Sequence, residues 1–402
     1  MTASSLRGPR ALALMLALLA AVLAVAASSA TAVTDAPPRG ISKNQIIIGG
    51  SFPFSGPLAV YGALSEGAKA YFGWVNAHGG VNGRKIKYVT LDDGYDPSRL
   101  ASNARNLIEQ QNAFLLLDFG GPANAIRDYM QQVNTIQMNM SGLHDEARYT
   151  LTKSWWPDIR WEAGIEAAWA AKNVSNPKVG LLAINNDLAL DFAAGINRGL
   201  GSKKSQFVST LTVSPAQVDV SSQLNRLRAE GVNTLFVGLT GATMVGALKY
   251  IRQTGWKPTI FVYSAALALR GILDQVGEFE NLYSAMWLKD PADPRWAKNA
   301  GVNTYKANVA KYSPDADPNS IFVENGYAGA VALVTVLKQV KNPTTASVVK
   351  AWNTLAPTVN PLLMPNIKLS GGPQGRIVHQ YQVVNYANGT YKSVGKVVTI
   401  RR

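Results

Sequence analysis

The alternation of strand-like and helix-like segments constrains the fold of this chain most, because it occurs in two separate runs. The first run covers residues 45–132 and the second covers residues 178–263. In both, short β-branched or apolar segments alternate with segments whose apolar residues recur at helical spacing. Such an alternation is typical of a parallel sheet with helices on both faces. The sequence therefore predicts an α/β fold with two doubly wound, Rossmann-like lobes.

The same pattern gives the individual elements. In the first run we predict strands at residues 45–50, 85–91 and 113–118, and helices at 63–78, 97–110 and 123–132. In the second run we predict strands at 178–184, 207–213, 234–237 and 259–263, and helices at 188–200, 220–230 and 244–254. A loop follows residue 285, then a helix at 322–340 and a hairpin of residues 378–385 and 391–400 around Asn388-Gly389. Two lobes to which late segments return form a clamshell, which places a ligand between them.

The N-terminus has the composition of a secretory leader. Arg7 and Arg10 precede an apolar run at residues 11–27, and the small residues that follow include Ala30 and Ala32. A basic start, an apolar core and an Ala-x-Ala end are typical of a cleaved signal peptide. The alternative is a membrane anchor, but a run of about 17 residues is at the lower limit for spanning a bilayer. We therefore expect residues 1–32 to be removed and the exported chain to begin near Val33.

The composition excludes several kinds of site and partner. The chain contains no cysteine, so we expect no disulfide, no thiolate metal site, no cysteine nucleophile and no lipoprotein. With only three histidines, His78, His144 and His379, we predict no histidine-rich metal centre and no cofactor. The formal net charge is +14, but the basic residues are scattered rather than grouped in a block. We therefore expect no nucleic-acid partner.

Motifs for catalysis are missing from the sequence. It contains no Gly-x-Gly-x-x-Gly after the first strand, no Gly-x-x-x-x-Gly-Lys and no Gly-x-Ser-x-Gly nucleophile turn. Gly49-Gly50 and Gly120-Gly121 are expected at strand-to-helix turns, where backbone amides can approach an anion. Asp92-Asp93 and Asn185-Asn186-Asp187 could be metal ligands, but helix capping is their expected role. An exported α/β enzyme remains the weaker alternative, and we predict that the protein is not an enzyme.

Several short motifs occur in the order in which one protein family has them. They are Phe54-Ser55-Gly56-Pro57 followed by Tyr61-Gly62, Gly79-Gly80-Val81-Asn82-Gly83-Arg84-Lys85-Ile86, Leu91-Asp92-Asp93-Gly94-Tyr95-Asp96-Pro97, Val220-Ser221-Ser222-Gln223-Leu224, Gly255-Trp256-Lys257-Pro258 and Gly326-Tyr327-Ala328. They extend over nearly the whole mature chain. Through them the chain resembles the branched-chain amino-acid (Leu/Ile/Val) type of periplasmic binding protein, the ligand-capture component of an ABC importer.

The resemblance implies a type I periplasmic binding fold, a clamshell whose two lobes are joined by a three-strand hinge. Lobe 1 would comprise residues 44–157 and 286–355, and lobe 2 residues 158–285 and 356–402. The connections would cross near residues 154–160, 282–287 and 354–362. Trp155 and Trp156 would lie at the first crossing, where they either line the ligand cleft or pack the hinge. The disulfide that staples a lobe in this family is impossible here, because cysteine is absent.

The resemblance also implies how lobe 1 would hold a ligand carboxylate. The family uses backbone and hydroxyl groups at two turns, which fall here at Phe119, Gly120 and Gly121 and at Gly142, Leu143 and His144. The backbone donors are retained, but Gly121 and His144 replace the usual Ser or Thr hydroxyls. His144 could pair with an acid, or it could be an ordinary loop histidine. Tyr61 would lie over the ligand and Phe322 would form a wall of the pocket.

In lobe 2 the family's amino-acid binders use an aromatic residue, a tyrosine and a glutamate that binds the ligand ammonium. These positions correspond to Leu188, Thr240 and Ala265 here, so the acid is missing. A buried ammonium without a carboxylate partner costs several kcal/mol. We therefore expect a ligand with a carboxylate but no α-amino group, such as an aromatic, aliphatic or hydroxylated acid. A branched-chain amino acid is the alternative, if Asp187 or Arg270 supplies a charge in this lobe.

The function that this resemblance implies is ligand capture. An extracytoplasmic substrate-binding protein would bind a small ligand, close by hinge bending and deliver it to the permease and ATPase subunits of an ABC importer. The runner-up is a clamshell sensor that signals to a separate partner. The protein would be located in the periplasm or at the exterior of the cell envelope.

Overall fold

The computed structural model describes residues 38–142, 147–215, 217–264, 275–372, 375–387 and 390–400. These residues form two sheets. The first sheet has five parallel strands in the order β2-β1-β3-β4-β5. Its strands are Gln45–Phe52 (β1), Lys85–Asp92 (β2), Leu115–Asp118 (β3), Ile136–Asn139 (β4) and Thr152–Ser154 (β5).

The second sheet has eight strands in the order β12-β11-β10-β9-β8-β6-β7, and β13 pairs with β11. Its strands are Val179–Ile184 (β6), Phe207–Val213 (β7), Thr234–Gly238 (β8), Thr259–Val262 (β9), Leu282–Met286 (β10), Gln380–Ala387 (β11), Thr390–Ser393 (β12) and Val398–Thr399 (β13). Strands β6 to β10 are parallel, whereas β11 to β13 pair antiparallel. The predicted C-terminal hairpin is present in β11 and β12, but its turn at Asn388-Gly389 lies outside the described residues.

Helices accompany both sheets. The α-helices are Ala63–Ala77 (α1), Pro97–Arg105 (α2), Arg127–Gln132 (α3), Ile159–Asn173 (α4), Asp187–Leu200 (α5), Ser221–Ala229 (α6), Gly241–Gln253 (α7), Ala300–Tyr312 (α8), Ile321–Lys338 (α9) and Thr345–Asn353 (α10). Two predicted helices are shorter than expected. A π-helical turn, Asn106–Gln110, ends the first, and a 3₁₀ turn, Gly121–Ile126, begins the second. The other predicted helices differ from the observed ones by a few residues at their ends.

The prediction for Gly49-Gly50 is wrong, because these glycines lie inside β1 rather than in a turn. Gly49 and Gly50 pair with Val89 and Thr90 of β2. A Cβ on Gly50 would lie 2.7 Å from the Tyr88 hydroxyl oxygen. Glycine here leaves room for the Tyr88 ring of the neighbouring strand, and the strand continues to Phe52.

Helix α9 is long and apolar enough to span a membrane, but it is the core helix of the first lobe. Of its most apolar window, 89% is buried within the fold. It crosses α1 at two glycines, Gly67 and Gly326, where backbone meets backbone. A Cβ on Gly67 would overlap the Val323 carbonyl, and a Cβ on Gly326 would overlap that of Leu64. The crossing positions the start of α1 beside the start of α9.

The chain passes between the two sheets at three places. Residues 155–158 connect β5 to α4, residues 287–299 connect β10 to α8, and residues 354–379 connect α10 to β11. The second connection begins later than predicted, because Leu282–Met286 is a strand paired to β9 and β11. The connections contact one another: Met364 donates its N–H to the Trp287 carbonyl at 2.9 Å, and Arg376 donates its guanidinium to the Trp156 carbonyl at 2.7 Å.

Candidate functional site

Three aromatic side chains from separate elements of the first lobe meet in one cluster. Tyr61 stacks on Phe119, with ring centroids 4.4 Å apart, and Phe322 packs edge-on against Tyr61 at 4.7 Å. Tyr61 precedes α1, Phe119 follows β3 and Phe322 begins α9. All three side chains are buried. The structure thus brings together three of the residues that the sequence suggested for ligand binding.

The predicted glycine turn lies directly beside this cluster. Gly120 has φ 77°, and a Cβ there would lie 2.7 Å from the ring of Tyr95. The Gly121 N–H donates a hydrogen bond to the Tyr95 hydroxyl at 3.3 Å. The Tyr95 ring centroid lies 6.2 Å from that of Phe119. The turn therefore places a backbone donor, bonded to the Tyr95 hydroxyl, beside the aromatic cluster, where the family resemblance implied a ligand carboxylate.

Tyr95 also lies at the candidate site, although it is not among the residues predicted from the sequence. It has φ 63°, a left-handed conformation that is uncommon for a large side chain. The Asp93 carboxylate accepts the Tyr95 N–H at 2.8 Å and thereby supports this conformation. Burial raises the pKa of the Tyr95 hydroxyl, and the charges of Asp187 and Asp93 raise it further, although the Gly121 N–H opposes them. Tyr95 belongs to the Asp-Asp-Gly-Tyr-Asp motif, but nothing in that motif indicates a role for the tyrosine.

Asp92 and Asp93 do not cap the following helix, so the expected role is wrong. Asp96 caps α2 instead, accepting the N–H groups of Ser98 and Arg99. The Asp92 carboxylate accepts the N–H groups of residues 54, 55 and 94. Partial burial raises the pKa of Asp92, but these bonds and those from Ser55 and Arg99 side chains outweigh it and hold the pKa well below its usual range.

These aspartates therefore fix the loop that carries Tyr95. No group of three or more potential metal-ligating side chains occurs within the described ranges. Asn186, in contrast, has the predicted capping role, since its Oδ1 accepts the Leu188 N–H at 3.0 Å at the start of α5.

The second lobe places two predicted site residues at the ends of its parallel strands. Leu188 is buried in the first turn of α5, and Thr240 is half-buried just before α7. Leu143, His144, Ala265 and Arg270 lie outside the described residues. Gly142 is described, but its carbonyl accepts the Ile159 N–H at 2.8 Å, and a Cβ there would press on Trp156 and Ile159. This glycine contacts the first connection between the sheets.

Two observations show that residues of the two lobes lie close to each other around the aromatic cluster. Asn124, in the turn after Gly121, donates its amide to the Asp187 carboxylate at 3.2 Å, which joins the first lobe to α5. Burial raises the pKa of Tyr263, at the end of β9, well above its usual range; Glu162 and then Tyr61 and Tyr95 raise it further. Tyr263 of the second lobe therefore lies near Tyr61 and Tyr95 of the first lobe.

A small cavity of about 20 Å³ lies between the aromatic cluster and the connections, enough for about one water molecule. It is lined by Trp156, Ser264, Met286, Trp287, Leu288, Ile321, Phe322 and Asn325. Trp155 donates its indole N–H to Asn325 at 2.8 Å and packs edge-on against Trp287 at 4.5 Å. Trp155 therefore packs the hinge, whereas Trp156 both packs the hinge and lines the cavity.

Ser264 is held at the cavity by a buried glutamate. Its N–H and hydroxyl donate to the two carboxyl oxygens of Glu162 at 2.6 and 2.8 Å. Burial outweighs these hydrogen bonds and raises the pKa of Glu162 to about 8. One helical turn later, Glu166 is also fully buried; desolvation and the Glu162 charge raise its pKa well above the usual range. Two acids spaced by four residues in an apolar helix are the signal by which these residues could have been found.

The raised pKa values of Glu162 and Glu166 predict how stability depends on pH. Their folded-state pKa values exceed the ordinary 4.5, so above that pH the folded protein binds more protons than the unfolded chain. Their contribution to the free energy of unfolding therefore falls as pH rises from about 5 to about 8. Glu166→Gln should reduce this loss, measured as melting temperature at several pH values. The exposed control Glu278→Gln should keep the parent profile, and an unchanged profile in Glu166→Gln would contradict the assignment.

Comparison with known proteins agrees with this geometry. A family model for periplasmic binding proteins matches residues 45–390. The chain is 21% identical over 293 residues to the leucine-specific-binding protein of Salmonella typhimurium, covering 70% of this chain and 76% of that protein. A branched chain amino acid ABC transporter from Thermus thermophilus with bound valine has a TM-score of 0.77 at 15% identity, covering 90% of this chain and 98% of that one.

A third relative is the solute binding protein of an ABC transporter from R. palustris in complex with benzoate. It has a TM-score of 0.72 at 16% identity and covers 89% of this chain and 98% of that one. The resemblance drawn from the sequence motifs and the predicted two-lobed α/β fold are thus confirmed. Because the family match extends over most of the chain, the protein belongs to the periplasmic binding protein family and has its type I fold.

Proposed function

We propose that the protein is the extracytoplasmic substrate-binding protein of an ABC importer and captures a small carboxylate-bearing ligand between its lobes. The observation that carries this proposal is the aromatic cluster of Tyr61, Phe119 and Phe322 beside the Gly121 N–H. An apolar ligand body would lie against the rings, while its carboxylate would displace the Tyr95 hydroxyl from the Gly121 N–H or share that donor with it. Proteins of this family bind ligands and are not enzymes, and the family is extracytoplasmic.

The acids around this site favour a ligand without an α-amino group. Glu162 has its pKa raised to about 8, and both of its oxygens accept hydrogen bonds from Ser264. The Asp187 carboxylate accepts a hydrogen bond from Asn124, and Asp191 forms an ion pair with Arg160 at 2.7 Å. Glu162 and Asp191 therefore do not offer a ligand ammonium a free ionised carboxylate, and Asp187 would have to share its carboxylate with Asn124. Benzoate-like or aliphatic acids fit the site better than leucine or valine.

Capture would proceed by closure of the clamshell. The ligand would bind first to lobe 1, residues 44–157 and 286–355, and lobe 2, residues 158–285 and 356–402, would then complete its burial. The Asn124–Asp187 contact lies where the two lobes meet and would form as they close. The closed form is the one that the permease and ATPase partners would recognise. Residues 1–32 would act as the export leader and be removed.

A thermal-shift screen of the mature protein tests this ligand class. Benzoate, hydroxybenzoates and short aliphatic acids should raise the melting temperature. At about 100 times its dissociation constant, a ligand stabilises a protein by about 2.7 kcal/mol. Leucine and valine should give smaller shifts at the same concentrations. Stabilisation by leucine or valine alone would contradict the proposed class while leaving the binding-protein role intact, and no stabilisation by either group would count against the cleft as a carboxylate site.

A further inference from the structure

A second, larger cavity lies on the second lobe, among elements that contribute nothing to the aromatic cluster. Its volume is about 600 Å³, within the range of small-molecule binding sites. It lies between α4, the end of α5 and the C-terminal strands. The lining residues that matter for a ligand are Trp161, Ile165, Trp169, Lys172, Arg198, Lys396 and Val398.

The shape of this cavity follows from how the helices pack. A Cβ on Gly199 would overlap the Gly164 carbonyl, so α4 and α5 approach to backbone contact. The large side chains of Trp161 and Trp169 line the cavity, and both are half-buried. Val398 of the opposite wall has 38% of its surface exposed. A folded monomer thus leaves an apolar trench uncovered, with aromatic rings along one side.

The rim of the trench is basic. Lys172, Arg198 and Lys396 line it, and all three are exposed. The Arg198 guanidinium lies over the Trp161 ring, 3.4 Å from its centroid. The lining contains no acidic side chain, and none of these cations forms an ion pair with another residue in the described ranges. Three cations above an apolar floor complement a ligand that has an anionic head and an apolar body.

We propose that this trench is a second binding site, which takes an amphipathic carboxylate of medium alkyl chain length. Its chain would lie on Trp161, Ile165 and Trp169, and its carboxylate would meet Lys172, Arg198 and Lys396. Charge-assisted hydrogen bonds to the head then add to burial of the chain. The site is separate from the interlobe cleft and does not depend on the function proposed for it.

Octanoate is the probe, with octanol as its uncharged counterpart, in calorimetric titrations of the mature protein. The variant Lys172→Gln/Arg198→Gln/Lys396→Gln changes only exposed side chains and should fold. We expect it to weaken octanoate binding about tenfold or more, because several charge-assisted contacts are lost. Octanol binding should change little. Raising the salt concentration should weaken octanoate binding to the parent protein but not octanol binding.

A second pair of variants tests the location independently. Val398→Asp introduces a negative charge into the wall of the trench and should weaken octanoate binding, whereas the matched variant Val398→Asn should weaken it less. The same titrations are made in a Tyr61→Ala background, which weakens the cleft of the other lobe, so that octanoate bound there does not obscure binding in the trench. In that background, octanoate binding that survives both the triple variant and Val398→Asp would overturn the proposal, as would the absence of any octanoate binding. Neither result would affect the cleft proposal.

Discussion

Replacing Gly326 with alanine will destabilise the protein by about 3 kcal/mol or more. The added methyl group would overlap the Leu64 carbonyl where α9 crosses α1, and the reciprocal contact at Gly67 faces the Val323 carbonyl. A backbone carbonyl within a packed helix cannot rotate away as a side chain can, so the two helices must separate. Urea unfolding measures the effect as a lower midpoint with little change in slope.

The same substitution at Gly246, in α7, provides the matched control. There the nearest atom to an added Cβ is the Val218 carbonyl oxygen at 3.1 Å, so the neighbouring loop needs to yield only slightly. Alanine is a better helix former than glycine by about 1 kcal/mol, which offsets this cost. We expect the free energy of unfolding of Gly246→Ala to lie within about 1 kcal/mol of that of the parent. A Gly326→Ala protein as stable as the parent would show that the crossing is looser than the structure indicates.

Tyr61→Ala will weaken binding of the acid identified in the thermal-shift screen by about 30-fold or more. Tyr61 is the central ring of the cluster, since it contacts both Phe119 and Phe322. Its removal leaves a cavity where the ligand body would lie and takes away its largest apolar contact. Calorimetric titration of parent and variant gives the ratio of dissociation constants directly.

Two controls separate this effect from a general loss of stability. Tyr61→Phe keeps the ring and should bind within about tenfold of the parent. Tyr71→Ala removes a ring of α1, the helix that follows Tyr61, and this ring packs on Trp74 and Tyr327 instead, with centroids 5.7 and 4.9 Å away. It should lower stability but leave ligand affinity unchanged. If Tyr61→Ala binds as tightly as Tyr71→Ala, the aromatic cluster is not the ligand site.

The predicted elements match the structure best where a strand or helix has a simple apolar pattern. Strands β6 and β7 lie at or within one residue of their predicted bounds, because every residue of β6 is buried and exposure alternates along the edge strand β7. Strands β4 and β5 were missed because they contain buried polar residues. Gln137 in β4 donates to Asp118 at 2.6 Å and accepts from Thr152 of β5 at 3.2 Å. A pattern of apolar residues cannot reveal a strand whose interior is satisfied by hydrogen bonds.

Prediction from apolar patterns and motifs meets the same limit at the candidate site. The sequence motifs led to Tyr61, Phe119 and Phe322, which the structure places in contact. Helix α4 was not predicted, because Glu162 and Glu166 interrupt its apolar face. The hydrogen bond between Ser264 and Glu162 was therefore not predicted either. That hydrogen bond joins residues 102 positions apart in the sequence. Spacing within a segment carries no information about such partners, so only the folded chain reveals them.

The three tryptophans at the connections make the hinge optically distinctive. Trp287 lies 4.5 Å from Trp155 and 5.6 Å from Trp156, measured between ring centroids, at angles of 71° and 58°. Indole chromophores this close couple their electronic transitions, and the resulting circular dichroism depends on their mutual orientation. These rings belong to two different connections between the sheets, so a rotation of one lobe against the other changes that orientation. The protein therefore carries an intrinsic spectroscopic reporter of its own closure, located at the pivot rather than in the ligand pocket.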